Sequence, residues 1–133
     1  MIFVDTSAWF ASVVPADSDH ERALVWLSKN SELLVTTDFV IDETLTLLRV
    51  RGETKLALDM GGRFFSGELT DIYYISDEDF RAAWDVFKQF ADKGWSFTDC
   101  TSKVVMQQLG IEVAFAFDRH YRQIGAVSVV PAI

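Results

Sequence analysis

Four carboxylates occupy positions from which they could act together: Asp5, Glu43, Asp99 and Asp118. Asp5 closes a short apolar run and is followed by Thr6 and Ser7. Asp118 closes another apolar run that ends at Phe117, and Asp99 follows Phe97 and Thr98 at the start of a helical pattern. Taken singly, these three have an ordinary reading. Aspartate is a good helix cap, and an acid in a first turn complements the helix dipole. Glu43 does not fit that reading, because it lies in the middle of a helical pattern with Phe39, Val40 and Leu47 one turn away. A carboxylate among such side chains is expected to be part-buried, and a buried carboxylate requires a partner charge, a hydrogen-bond network or a metal. No Lys or Arg stands three or four residues from it, so a local helix ion pair is absent and only a distant Arg could neutralise it.

If the four acids converge, the chemistry follows from their type. An all-oxygen ligand set selects hard cations, Mg2+ or Mn2+, over zinc. The two histidines and the single cysteine have no zinc-site spacing. Without a cation, clustered carboxylates repel and some retain protons near neutrality. With one, water is activated and a phosphodiester's charge is neutralised in the transition state. That is phosphodiester hydrolysis with no covalent nucleophile from the protein.

The elements that must carry these residues alternate. Strands are expected at Ile2–Val4, 33–36, 71–75, 113–117 and 127–130. Helices are expected over 8–13, from a cap at Asp17 or Ser18 with Ala23, Leu24 and Leu27 on one face, and from a cap at Asp38 to about Val50. Further helices follow over 53–65, from Ser76 or Asp77 through Phe90, from Thr98 or Asp99 to Gly110, and briefly after Asp118. Short apolar strands alternating with helices imply an α/β fold with a parallel sheet covered on both faces. In such sheets ligands bind beyond the carboxyl ends of the strands, where Asp5 and Asp118 lie.

The chain has 133 residues, enough for one domain spanning 1–133 with a real core, and no linker or repeat divides it. A formal charge of −8 argues against a general nucleic-acid binder. A metal-filled acidic site reconciles that charge with a phosphate substrate, and a basic partner protein is a second explanation. One cysteine excludes an internal disulfide, no stretch is long enough to span a membrane, and the N-terminus lacks a signal-peptide pattern. A cytoplasmic protein is expected.

Four segments, in order, carry a resemblance. MIFVDTSAW resembles the opening motif of PIN domains, FVIDETLTLL their helical acid, SFTDCTS the third motif and AFAFDRHY the fourth. The resemblance implies a three-layer α/β/α sandwich with a mainly parallel sheet. It also implies an acidic metal cluster at Asp5, Glu43, Asp99 and Asp118. The implied activity is Mg2+- or Mn2+-dependent endoribonuclease action of the kind found in the toxins of VapBC toxin–antitoxin pairs. Such toxins are held by a cognate VapB-like antitoxin and are often homodimers. Alternatives within the family are an RNA-processing nuclease outside a toxin system and a non-catalytic RNA- or protein-binding module. Two other magnesium-using classes fit poorly. A phosphoryl-receiver domain needs an acidic neighbour beside Asp5 and a Lys after the last strand, and a haloacid-dehalogenase-type phosphatase needs an acid at position 7, which is Ser.

Several other residues have two readings. Thr6, Ser7 and Thr98 are helix caps or ligand-orienting groups. Arg119, His120 and Arg122, like Arg49 and Arg51, are phosphate contacts or a solvated basic face. Phe80, Trp84 and Phe87 fall on one helix face and are expected in the core or a dimer contact. Trp95 and Cys100 are expected to be buried packing residues, and Asp92 an ordinary acid beside Lys93.

Overall fold

The structure, a computed structural model, describes residues 1–124 and 127–132. Five parallel strands form one sheet: β1 (Ile2–Val4), β2 (Leu34–Thr37), β3 (Asp71–Tyr73), β4 (Val113–Phe115) and β5 (Ser128–Val130). Their order is β3-β2-β1-β4-β5. Six helices connect them: α1 (Thr6–Val13), α2 (His20–Lys29), α3 (Asp38–Val50), α4 (Thr54–Ser66), α5 (Asp77–Gln89) and α6 (Phe97–Leu109). A 3-10 turn, Arg119–Gln123, follows β4. Successive residues of a strand face opposite sides of the sheet. Ile2, Phe3 and Val4 are all buried, as are Ala114, Phe115 and Ala116, so both faces are covered. This is the expected α/β/α sandwich.

The strand order sets the location of any site. The chain steps outward from β1 to β2 and β3, then crosses back to lay β4 on the other side of β1. The reversal leaves a crevice beyond the carboxyl ends of β1 and β4, the place where open α/β sheets bind ligands. Asp5 leaves β1 at this point, with its amide bonded to the Phe115 carbonyl of β4 at 3.1 Å. Asp118 leaves β4 three residues beyond Phe115.

Aromatic packing fixes the layers. Trp26 of α2 stacks on Phe115 of β4 with centroids 4.3 Å apart, and Trp9 of α1 meets Phe64 of α4 edge-on at 5.1 Å. Glycine in the left-handed conformation ends α6, with Gly110 at φ 67°, where a side chain would be strained.

Local differences from the sequence-based expectations have identifiable causes. Strand β4 stops at Phe115, not at 117, because the Phe117 amide turns to the Ser7 hydroxyl. Helix α3 is capped by Thr37, whose hydroxyl accepts from the Val40 amide. Asp38 is its first residue and instead accepts from Ile75. Helix α2 begins at His20 behind Asp19, because Asp17 is used to hold the preceding turn through the Asp19 amide. Leu24 lies 45% exposed, off the buried face that Ala23 occupies. Gly61 and Gly62 pass through α4 without breaking it. Trp95 and Cys100 are buried as expected, at 5% and 0% exposure.

Candidate metal centre

Each of the four acids arrives from a different element. Asp5 is the N-cap of α1, where the strand end requires a turn and the carboxylate accepts the orphan amide of Ser7 at 3.1 Å. Its Oδ2 also accepts from the Ser7 hydroxyl at 2.7 Å. Glu43 sits one and a half turns into α3, half-buried beside Leu47. Asp99 is the third residue of α6 in a capping box. Ser96 Oγ accepts from the Asp99 amide, and Asp99 Oδ2 accepts from the Ser96 amide, both at 3.0 Å. Asp118 caps the 3-10 turn, accepting from the His120 amide at 2.9 Å.

Together they line one cleft of about 400 Å3, with Thr6, Ser7, Leu47, Gly94, Ser96 and His120. All four residues singled out in the sequence are therefore brought to one place. A larger apolar groove of about 710 Å3, between α2 and the β4–β5 edge, is lined by Val25, Trp26, Val130 and Pro131 and holds none of these acids.

The electrostatics are those of uncompensated like charge. Among the described residues, no Lys or Arg pairs with any of the four, and His120 is the sole basic group in reach. Its Nδ1 lies 3.3 Å from Asp118 and 3.9 Å from Asp99. Burial, followed by the negative charges of Asp5, Asp118 and Glu43, pushes the Asp99 carboxyl up to about 6. Burial likewise raises Asp5, against the lowering effect of its Ser7 hydrogen bonds. Burial raises Glu43 as well, and the charges of Asp5, Asp118 and Asp42 add to it while the Thr6 hydroxyl opposes it. Such a cluster is costly unless positive charge enters it.

The donor set fits a hard divalent cation: four carboxylates, no thiolate, and hydroxyls from Thr6 and Ser7 at the rim. Among the described residues, no three His, Cys, Asp or Glu side chains are grouped so that they could hold a metal ion as they stand. Asp5 turns one oxygen to Ser7, Asp99 one to Ser96 and Asp118 one to His120, the bonds by which each caps its helix or turn. Cys100, adjacent to Asp99, offers no alternative nucleophile. It is fully buried, and burial pushes its thiol up to about 11.

Ser7 has a larger role than a first-turn cap. Its hydroxyl donates to Asp5 and accepts from the amides of Phe117 and Asp118 at 2.9 and 3.2 Å. One side chain thus ties the loop after β1 to the loop after β4 and fixes two of the acids relative to each other. The sequence signal was its place two residues after Asp5, which equally describes a cap. Ser96 was missed although Ser96-x-x-Asp99 is a capping-box spacing. Asp92 lies outside the cleft, exposed beside Lys93 at 3.7 Å. Phe80, Trp84 and Phe87 are 47%, 51% and 40% exposed and so are not core.

Residues 2–127 match the family profile described as PIN domain. The 23S rRNA-specific endonuclease VapC20 of Mycobacterium tuberculosis (strain H37Rv) is 33% identical over 132 residues, covering 98% of this chain and 99% of that protein. A VapC ribonuclease of Archaeoglobus fulgidus is 41% identical over 83 residues, 60% of this chain and 51% of that protein. The crystal structure of Mycobacterium tuberculosis VapC20, described as a sarcin-ricin loop cleaving toxin, superposes with a TM-score of 0.89 at 28% identity. That match covers 94% of this chain and 95% of the other. FitAcB from Neisseria gonorrhoeae shares the fold, with a TM-score of 0.69 at 16% identity over 97% and 96% of the two chains.

Proposed function

This chain belongs to the PIN-domain family, and on that premise we propose that it is a divalent-metal-dependent endoribonuclease, the toxin of a VapBC-type toxin–antitoxin pair. The observation that carries the reading is the convergence of Asp5, Glu43, Asp99 and Asp118 on one cleft with no Lys or Arg among the described residues to neutralise them.

In this mechanism Asp5, Glu43, Asp99 and Asp118 hold Mg2+ or Mn2+. A bound ion would supply positive charge to the scissile phosphodiester and lower the pKa of water at the site. The protein's own contribution is preorganisation. Ser7 fixes Asp5 and, through two backbone amides, the Asp118 loop, while Ser96 fixes Asp99. A cation bound here would displace protons from the raised carboxyls, so affinity for it would rise with pH through the region of Asp99's value of about 6. His120, between Asp118 and Asp99 at the cleft's edge, is available to contact a phosphate oxygen.

The whole-length likeness to an rRNA-specific endonuclease supports RNA as the substrate, with ribosomal RNA the first target to try. The acidic balance, −8, supports a basic antitoxin as partner. The exposed aromatic face of α5, with Phe80, Trp84 and Phe87, supports a homodimer contact. No helix among the described residues is long and apolar enough to cross a membrane, and we read the toxin as acting in the cytoplasm. Retention of all four acids disfavours the non-catalytic module. An RNA-processing role outside a toxin pair would be separated by the absence of an antitoxin that blocks cleavage.

The test is cleavage of purified ribosomes and total RNA by the antitoxin-free protein in Mg2+ or Mn2+, beside EDTA and Asp99→Asn. We expect discrete cleavage that chelation and the substitution each abolish. Cleavage that persists in EDTA would refute the metal mechanism.

A further inference from the structure

Tyr121 lies in the 3-10 turn that Asp118 caps, and it is fully buried, at 0% exposure. Its hydroxyl is the one buried side-chain polar atom among the described residues that has no hydrogen-bond partner. As a core residue this is a poor choice. Phe would fill the same space without stripping a hydroxyl of water. The hydroxyl's surroundings suggest what it is for. The polar side chains beside it are Asp5 and Ser102, and the charges acting on it are those of Asp5 and Asp99. Ser102 already donates its proton to the Thr98 carbonyl at 3.0 Å. Asp5 is engaged by Ser7 through Oδ2. A phenol keeps its proton at neutral pH, so the hydroxyl is a donor there.

We propose that Tyr121 is a positioning residue for Asp5: its hydroxyl donates to the Asp5 carboxylate when a divalent cation occupies the cleft, and so fixes how that carboxylate meets the ion. The proposal rests on the metal-site reading above. It gives the five-residue turn Arg119–Gln123 two functions, since the same turn that Asp118 caps carries the donor that restrains Asp5. Asp5 would then be held by Ser7 and Tyr121, with a donor contributed from each of the two loops that border the crevice.

The experiment is calorimetric titration of MnCl2 into full-length wild type, Tyr121→Phe and Asp99→Asn, with the melting temperature of each measured in EDTA. Tyr121→Phe removes one oxygen from an intact core ring, so its metal-free melting temperature should equal or exceed that of wild type. Its Mn2+ affinity should fall about 10- to 100-fold, the usual effect of losing a group that orients a metal ligand. Equal Mn2+ affinity in wild type and Tyr121→Phe would overturn the proposal while leaving the metal site standing. So would a loss of affinity matched by a lower metal-free melting temperature. Failure of the wild type itself to bind Mn2+ would instead remove the metal reading and this proposal with it. Binding by wild type that Asp99→Asn abolishes ensures that the Tyr121 result is read at the right site.

Discussion

At the scale of the residue, the acids are in tension with the fold. Asp99 is 5% exposed, and its carboxyl is raised from 3.8 to about 6, so the folded state holds its proton more tightly than the unfolded chain does. Between those two values the native state therefore binds more protons, and stability falls as pH rises until the folded carboxyl is ionised. Asp5 and Glu43, raised in the same direction, add to the effect. We predict that the metal-free protein melts at a higher temperature near pH 4.5 than at pH 7.5, and that saturating Mn2+ narrows this difference. Asp99→Asn should stabilise the metal-free protein at pH 7.5 by up to ~3 kcal/mol, the equivalent of about two pKa units, while eliminating cleavage. Denaturant unfolding in EDTA measures this, and an unchanged or lower stability of the variant would contradict it. The four acids were legible in the sequence because Glu43 occupies a helix interior where no cap is needed, which made the other three worth grouping. Ser7 and Tyr121 were not legible. A serine after a strand-end Asp looks the same whether it caps a helix or ties two loops, and a tyrosine within the basic run Arg119–Gln123 carries no mark of its burial until its hydroxyl is found without a partner.

At the scale of the element, the alternation of strands and helices was legible because fully buried strands are short and apolar and the helices have amphipathic periods. Boundaries moved where side chains bind backbone: Ser7 shortens β4, Ser96 begins α6 two residues before Thr98, and Thr37 displaces Asp38 as the cap of α3. Strand order was not legible, since it depends on long-range pairing that a sequence read locally does not encode. The face of α5 was half legible. Its aromatic stripe was plain, but the side chains turned out to be exposed, with Trp84 and Phe87 stacked at 5.9 Å and Phe80 and Phe87 against Phe97 at 5.3 and 6.0 Å. An apolar stripe left in water calls for a partner. We predict that the wild type is a dimer by sedimentation equilibrium and that Trp84→Glu with Phe87→Glu yields a folded monomer. A wild-type monomer at tens of micromolar, or a dimer that survives the double substitution, would show that α5 is not the contact.

At the scale of the whole molecule, a chain of charge −8 is proposed to cut a polyanion. The fold resolves this by concentrating charge where it is useful. Four acids meet at the reversal of strand order, beyond β1 and β4, and a cation bound there would make this acidic part of the crevice attractive to phosphate. The central claim is that these four carboxylates are a metal centre, and the most direct measurement is anomalous diffraction from crystals grown with MnCl2. The account predicts a manganese peak in the cleft lined by Asp5, Glu43, Asp99 and Asp118 that disappears in Asp99→Asn crystals grown the same way. A cleft without manganese at saturating concentration, in protein that still cleaves RNA, would contradict it.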